Sequence, residues 1–155
     1  MDRKLKAAII GCGGIAGQKH MPALAKLADK VEMTAFCDIL PERAEKAAKE
    51  FGVPGARVFA SHKALLAEAG PSLDLAHVCT PNKSHAEITV DSLEAGLHVM
   101  CEKPMAKTAA DARRMAEAAR RTGKKLTIGY QSRHRADSRY LKKLVESGAL
   151  GEIYV

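Results

Sequence analysis

The 155-residue sequence contains no tryptophan, and phenylalanine and tyrosine occur only three times each. None of them falls in the basic segment 108–122, so that segment offers no ring on which a base could stack. No apolar run approaches the ~20 residues that a membrane-spanning helix needs. The charged start, Met1 to Lys4, leads directly into a short apolar run with no sign of a secretory signal. We therefore expect a cytoplasmic protein without a membrane partner.

Cysteine is also scarce, and its four positions (12, 37, 79 and 101) form no CxxC pair. This spacing argues against a zinc ribbon or a thioredoxin-like site. All four positions fall at predicted strand ends, which gather at one edge of a parallel sheet, so a metal or redox cluster remains an alternative. We favour small apolar residues in a reducing compartment and expect no metal.

The net charge of +7 is concentrated between Lys107 and Lys143. One interpretation is a surface that binds nucleic acid. However, four arginines of this segment lie on a predicted helix whose other face is Ala112, Met115, Ala116 and Ala119. That pattern is typical of an amphipathic helix with a solvated basic face, so we expect no nucleic-acid partner.

Strand and helix patterns alternate along the chain. The predicted strands are 5–10, 31–37, 57–59, 73–79, 97–101 and 126–130. The predicted helices are 15–28, 41–51, 61–68, 84–95, 108–122 and 139–146. Ser61, a capping box of Ser84 with Glu87, and Thr108 with Asp111 are the predicted helix caps. This alternation predicts an α/β fold with a doubly wound parallel sheet.

The end of the chain has a different pattern. Residues 152–155 read as the opening of another strand, which would be an uncovered apolar edge. We therefore expect two units: a complete domain over 1–130, and a linker helix with the start of a truncated second domain over 131–155.

A glycine-rich turn, Gly11-Cys12-Gly13-Gly14-Ile15-Ala16, follows the first predicted strand and opens a helix. Gly11 permits a tight turn, Gly13 lets the backbone approach a pyrophosphate, and Ala16 allows close packing of helix and strand. With Gly14 and Ile15 at the helix N-terminus, the turn predicts a dinucleotide site. The alternative is a glycine-rich turn that binds nothing.

Asp38 ends the second predicted strand. A carboxylate there would accept both ribose hydroxyls of an adenosine and repel a 2′-phosphate, which favours NAD over NADP. Arg43 leaves some room for the phosphate. The alternative is an ordinary cap for the helix that begins at Pro41.

Two further polar segments follow strand ends. Thr80-Pro81-Asn82, with His85 one turn later, suits a nicotinamide ribose and diphosphate, although turn chemistry also explains it. Glu102-Lys103-Pro104 would place a partly buried lysine in the cleft for acid–base work. The alternative for Lys103 is a surface lysine paired with an acid.

These segments occur in the order seen in one family, and the stretch Gly148-Ala149-Leu150-Gly151-Glu152-Ile153 adds to the match. The chain resembles the N-terminal half of the glucose-fructose oxidoreductase/inositol dehydrogenase (Gfo/Idh/MocA) family. The resemblance runs from about residue 6 to 155, and its most specific part is Glu102-Lys103-Pro104, which generic Rossmann proteins lack.

The resemblance implies a Rossmann domain and NAD(P)-dependent oxidation of a hydroxyl on a sugar, a cyclitol or a related small molecule. Lys103 would hold the reacting hydroxyl and take part in proton transfer, and Glu102 would orient Lys103. The other residues implied at the cofactor are Thr80, Pro81, Asn82, His85, Gln131 and, less securely, Arg133. The family's C-terminal α+β domain, which completes catalysis and forms the homo-oligomer, is missing or only begun.

Two other functions stay open at this point. One is a non-catalytic dinucleotide-binding sensor or regulator on the same fold. The other is an NAD-dependent glycoside hydrolase, which shares the fold and cofactor but shows no net redox change.

Overall fold

Six parallel strands form one sheet in the computed structural model, which describes residues 3–154. The strands are β1 (Leu5–Ile10), β2 (Val31–Cys37), β3 (Arg57–Phe59), β4 (Leu75–Val78), β5 (His98–Cys101) and β6 (Leu126–Ile128). Their order is β3-β2-β1-β4-β5-β6. The strand order reverses between β1 and β4, so the predicted doubly wound sheet is confirmed.

The central strand β1 is buried on both faces. Its last four residues, 7–10, are at most 1% exposed, as expected where helices cover a parallel sheet on both sides. One apolar cluster lies on each face. The larger includes Val78, Leu93 and Met115, and the smaller is built around Ile9 and Phe36.

Six α-helices connect and cover the strands within the described residues. They are α1 (Met21–Ala25), α2 (Pro41–Phe51), α3 (His62–Glu68), α4 (His85–Glu94), α5 (Ala109–Thr122) and α6 (Ala136–Glu146). Ser61 Oγ accepts a hydrogen bond from the Ala64 amide, and Thr108 Oγ1 accepts one from the Asp111 amide. Two predicted caps are therefore confirmed.

The first helix differs from the prediction. Residues 15–28 do not form one continuous α-helix, because Ala16–His20 is a π-helical turn that precedes the short α1. The Met21 amide donates to the Ala16 carbonyl, five residues back, which inserts one extra residue into the turn.

The predicted capping box at Ser84 is wrong. The Ser84 hydroxyl donates to Thr80 Oγ1 and to the Pro81 carbonyl. Its backbone already has helical φ and ψ, and its side chain accepts no hydrogen bond from the amides of α4. A short 3₁₀ turn, Asn82–Ser84, leads instead into α4.

The C-terminal segment also departs from expectation. Helix α6 begins at Ala136 rather than 139. Residues 152–154 do not form a strand, and Val155 lies outside the described residues. No helix in the described part of the chain is long and apolar enough to cross a membrane.

The basic face of α5 is exposed, as predicted. Met115 and Ala118 are its buried residues, whereas Ala116, expected on the apolar face, is exposed. Arg114 pairs with Asp111, and Arg121 pairs with Glu94 of α4.

Asp74, just before β4, joins the start of that strand to the start of β1. Its carboxylate accepts a hydrogen bond from the Lys6 amide at 2.8 Å and two from the Arg3 guanidinium. The Arg3 hydrogen bonds, helped by the Lys6 amide, lower the Asp74 pKa from 3.8 to about 2. The ionised carboxylate therefore stabilises the native state above pH 3.8, and this contribution disappears as the pH falls to 2.

Asp74→Asn is expected to lower the free energy of unfolding at pH 7 by about 1 kcal/mol, because solvent screens an ion pair with an exposed arginine. Denaturant unfolding of both proteins at pH 7 and at pH 3 measures the effect. The difference should narrow at pH 3, and an equal difference at both pH values would contradict the assignment.

Candidate functional site

A cavity of about 510 Å³ lies at the carboxyl edge of the sheet, where the strand order reverses. Its wall is formed by the turn after β1, the end of β2 and the loops after β3 and β4. Open parallel sheets bind ligands at this position. Gly11, Gly13, Gly14, Asp38, Thr80 and Pro81 of the predicted site line it.

Gly11 is required by the protein itself. Its φ is 90°, and a Cβ there would lie 2.8 Å from the Cys79 carbonyl carbon and the Thr80 nitrogen. The Gly11 amide donates to the Cys37 carbonyl at 2.8 Å. Any side chain would push the turn away from the end of β4.

Gly13 and Gly14 are not required in this way. A Cβ at either would find no neighbouring atom closer than 4.0 Å. The first intrahelical hydrogen bond runs from the Gly17 amide to the Gly13 carbonyl, so the amides of Gly14, Ile15 and Ala16 have no helical acceptor. This open cradle of amides fits a pyrophosphate.

Ala16 is fully buried and packs in the smaller apolar cluster, whereas Ile15 is 42% exposed. These positions agree with the role predicted for Ala16 in helix–strand packing.

Asp38 is buried and bridges two backbone segments. Its carboxylate accepts from the Cys12 amide at 2.8 Å and from the Leu40 amide at 3.0 Å. Leu40 is the N-cap of α2, so the alternative in which Asp38 caps this helix is wrong. Instead Asp38 holds the glycine turn against the end of β2, facing the cavity.

Two cavity residues next to Asp38 add to the site. Ile39 is 86% exposed and lines the cavity, as does Arg43. Sequence analysis did not assign Ile39 a role. An exposed isoleucine directly after the carboxylate gives the cavity an apolar surface for a base.

Thr80, Pro81 and Asn82 follow β4 as predicted, and Pro81 and Asn82 are exposed. His85 occupies a different place from the one predicted for it. It is 1% exposed, and its ring nitrogens lie 2.8 Å from the Thr80 carbonyl and 2.9 Å from the Pro104 carbonyl. The buried His85 ring therefore connects the loop after β4 with the loop after β5.

Glu102 and Lys103 follow β5. The Glu102 carboxylate is largely buried and accepts from the Lys103 amide at 3.0 Å. The Lys103 side chain is exposed, not partly buried as expected, and the Lys103–Pro104 peptide is cis. Gln131 and Arg133, in the turn after β6, are exposed as well.

Two histidines near the site, the buried His20 and the half-buried His77, were missed. In the π turn, His20 Nε2 lies 2.8 Å from Glu102 Oε1, and His20 Nδ1 lies 3.2 Å from Nδ1 of His77 in β4. Burial, together with the nearby His20, lowers the His77 pKa to about 4. The available signal was a histidine inside the otherwise apolar strand Leu75–Val78.

The four cysteines are buried and unpaired. Burial and the Asp38 charge raise the pKa of Cys12 and Cys37 to about 12, and burial raises that of Cys101 to about 11. Their thiols are thus held in the protonated form, which neither binds metal well nor attacks as a nucleophile.

The strand order, the glycine turn and the acid at the end of β2 together define a dinucleotide-binding domain. The chain belongs to the Gfo/Idh/MocA oxidoreductase family: the model of its NAD-binding Rossmann fold matches residues 5–130. The resemblance inferred from the motifs is confirmed.

Similar proteins include a D-glucoside 3-dehydrogenase of Escherichia coli, 40% identical over 97% of this chain and 42% of the relative. An inositol 2-dehydrogenase of Salmonella typhimurium is 34% identical over 96% of this chain and 43% of the relative. The chain therefore spans less than half the length of these relatives.

Solved structures show the same likeness. The WlbA dehydrogenase of Bordetella pertussis, in complex with NADH and UDP-GlcNAcA, has a TM-score of 0.89 and 34% identity over 99% of this chain and 42% of its own. The 3-ketoreductase KijD10 of Actinomadura kijaniata, in complex with NADP and TDP-benzene, has a TM-score of 0.85 and 29% identity over 97% and 45%.

The low pKa of His77 predicts an acid-sensitive fold. His77 is neutral in the native state but takes up a proton on unfolding between pH 6.5 and 4, so this group weakens the fold by up to about 3 kcal/mol as the pH falls through that window. His77→Gln, which does not titrate, should lose less stability on acidification than the wild type. Denaturant unfolding at pH 7, 5.5 and 4 measures this, with His98→Gln on the neighbouring strand as the control. Parallel pH curves for wild type and His77→Gln would contradict it.

Proposed function

We propose that this chain is the cofactor-binding part of an NAD-dependent oxidoreductase that acts on hydroxyl groups of a sugar, a cyclitol or a related small molecule by hydride transfer. The observation that carries the proposal is the open space at Gly13 beside the Asp38 carboxylate. A glycine that the fold does not need is explained by a ligand that approaches the backbone there.

Different residues of the site would bind different parts of the cofactor. The amides of the glycine turn hold the pyrophosphate, Asp38 accepts the ribose hydroxyls, and Ile39 covers the base. The Asp38 carboxylate favours NAD, because a 2′-phosphate next to it would be repelled. Arg43, on the same cavity wall, would favour NADP, which is bound in the structure of the related KijD10.

A bound nicotinamide supplies a hydride acceptor or donor. The loop Thr80-Pro81-Asn82, which His85 contacts at the Thr80 carbonyl, would line the nicotinamide ribose, and Gln131 in the turn after β6 would face the cofactor. In the oxidation direction, Lys103 in its neutral amine form would take the hydroxyl proton at Nζ as the hydride leaves the substrate carbon. Glu102, anchored on the Lys103 amide, orients this lysine.

The similar proteins favour a dehydrogenase over the two alternatives. They include a glucoside dehydrogenase, an inositol dehydrogenase, a WlbA dehydrogenase and a ketoreductase, and all four names describe an oxidation or a reduction. We therefore propose a sugar or polyol as the substrate and a homo-oligomeric enzyme, and rank the sensor and the glycoside hydrolase below them.

The two glycines provide a matched test of the cofactor site. Gly13→Val should change the unfolding midpoint little, because a Cβ there meets no atom closer than 4.0 Å, but should weaken NADH binding at least tenfold. Gly11→Ala should lower the midpoint, because its Cβ meets the backbone. Fluorescence titration with NADH and with NADPH, beside thermal unfolding of each variant, measures both effects. Equal NADH affinity of wild type and Gly13→Val would refute the site.

Lys103 is tested in a form of the protein that reduces NAD⁺ with a glucoside or an inositol. Lys103→Met should lower kcat by ~10²–10⁴, the usual contribution of a general acid–base group, with little change in cofactor affinity. Lys103→Arg, which keeps the charge but cannot take up a proton, should be almost as inactive. Unchanged kcat in either variant would remove Lys103 from the mechanism.

A further inference from the structure

Three polar side chains, those of His77, His20 and Glu102, form a series of contacts that ends at the backbone amide of Lys103. His77 Nδ1 lies 3.2 Å from His20 Nδ1, and His20 Nε2 lies 2.8 Å from Glu102 Oε1. The other Glu102 oxygen accepts from the Lys103 amide at 3.0 Å. The side chains of His20 and Glu102 are only 8% and 13% exposed, so these contacts replace water.

The positions of the protons follow from these distances. A carboxylate only accepts, so the His20 nitrogen that faces Glu102 carries a proton. The two Nδ1 atoms face each other, so one of them donates and the other accepts. Burial lowers the His77 pKa to about 4, which leaves this ring neutral near pH 7. Whether His77 accepts or donates, His20 donates its Nε2 proton to Glu102.

The chain of contacts joins three elements of the site. His20 ends the π turn that follows the glycine turn, His77 lies in β4, and Glu102 follows β5. The loop after β6 closes the other side: a Cβ on Gly129 would approach Glu102 Oε1 to 3.2 Å. The Glu102 carboxylate therefore has little freedom to move.

This anchoring matters for the lysine next to it. Glu102, if released, would be a largely buried charge without a partner, and Lys103 is the cationic residue that follows it in the sequence. In the described part of the chain, the Lys103 side chain forms no ion pair. A carboxylate that is already held by His20 and by the backbone leaves the Lys103 amine available for a substrate hydroxyl.

We propose that His20 and His77 are positioning residues, which hold the Glu102 carboxylate on the Lys103 backbone amide and keep the Lys103 amine free. The link to catalysis rests on the function proposed above, whereas the hydrogen-bonded chain itself does not. The π turn has a function in this proposal, since it places His20 toward Glu102 immediately after the segment that holds the pyrophosphate.

The first experiment is NMR of the 155-residue chain without cofactor. In the wild type, the His20 Nε2 should be protonated in the ¹⁵N imidazole spectrum, and the Lys103 amide should exchange slowly with water. His20→Leu should speed this exchange at least tenfold. His20→Gln is the matched control, because its amide nitrogen reaches the position of the ring Nε2 and should preserve slow exchange.

An unprotonated His20 Nε2 in the wild type would overturn the proposal without recourse to any variant. So would unchanged Lys103 exchange in a folded His20→Leu protein. If the wild type fails to bind NADH while the NMR results hold, the proposed function is wrong and the buried chain of contacts is still correct.

The second experiment measures catalysis in the same NAD⁺-reducing form of the protein that is used to test Lys103. His20→Leu should lower kcat at least tenfold with KM for NAD within twofold, and His20→Gln should restore most of kcat. A purely structural role would instead lower the amount of folded enzyme and leave kcat per folded molecule unchanged. That outcome, or an equal loss in His20→Gln, would refute the positioning role.

Discussion

The close approach of Gly11 to the end of β4 is the constraint on which the rest of the site depends. Strands β1 and β4 are hydrogen-bonded neighbours, and the chain that leaves β1 must pass over the end of β4. With the Cys79 and Thr80 backbone only 2.8 Å from where a Cβ would be, only glycine fits. The turn is then tied to β2 through the Cys37 carbonyl and Asp38, so the phosphate cradle and the ribose acceptor are positioned together.

Buried polar groups form the second layer of the site. His85 connects the loops after β4 and β5, and His20 connects the π turn with Glu102. Both imidazole rings are buried, and an unpaired polar atom in such a place costs about 1–3 kcal/mol. Such contacts stabilise one arrangement of the loops, because any displacement leaves several groups unpaired at once. Lys103, the residue proposed to act on the substrate, is connected to these groups through the hydrogen bond from its backbone amide to Glu102.

Local signals predicted the elements that local contacts build. Ser61 and Thr108 cap their helices, Gly123 ends α5 in the left-handed region, and the alternation of strands and helices predicts the parallel sheet. The capping box at Ser84 failed because the 3₁₀ turn before α4 gives Ser84 helical φ and ψ, whereas a capping residue has an extended backbone. The π turn was missed because no local pattern indicates it. Its last residue, His20, contacts Glu102, which lies 82 residues further along the chain.

The sequence by itself determined the family, the doubly wound sheet and the edge at which the chemistry lies, because turn glycines, caps and apolar periodicity are local properties. Only the tertiary structure separated Gly11, which the fold requires, from Gly13, which a ligand explains. It also showed that His85 is buried between two loops, that the Lys103 side chain is exposed, and that His20 contacts both His77 and Glu102. These features depend on burial and on distances between residues far apart in the chain, and no local pattern encodes either quantity.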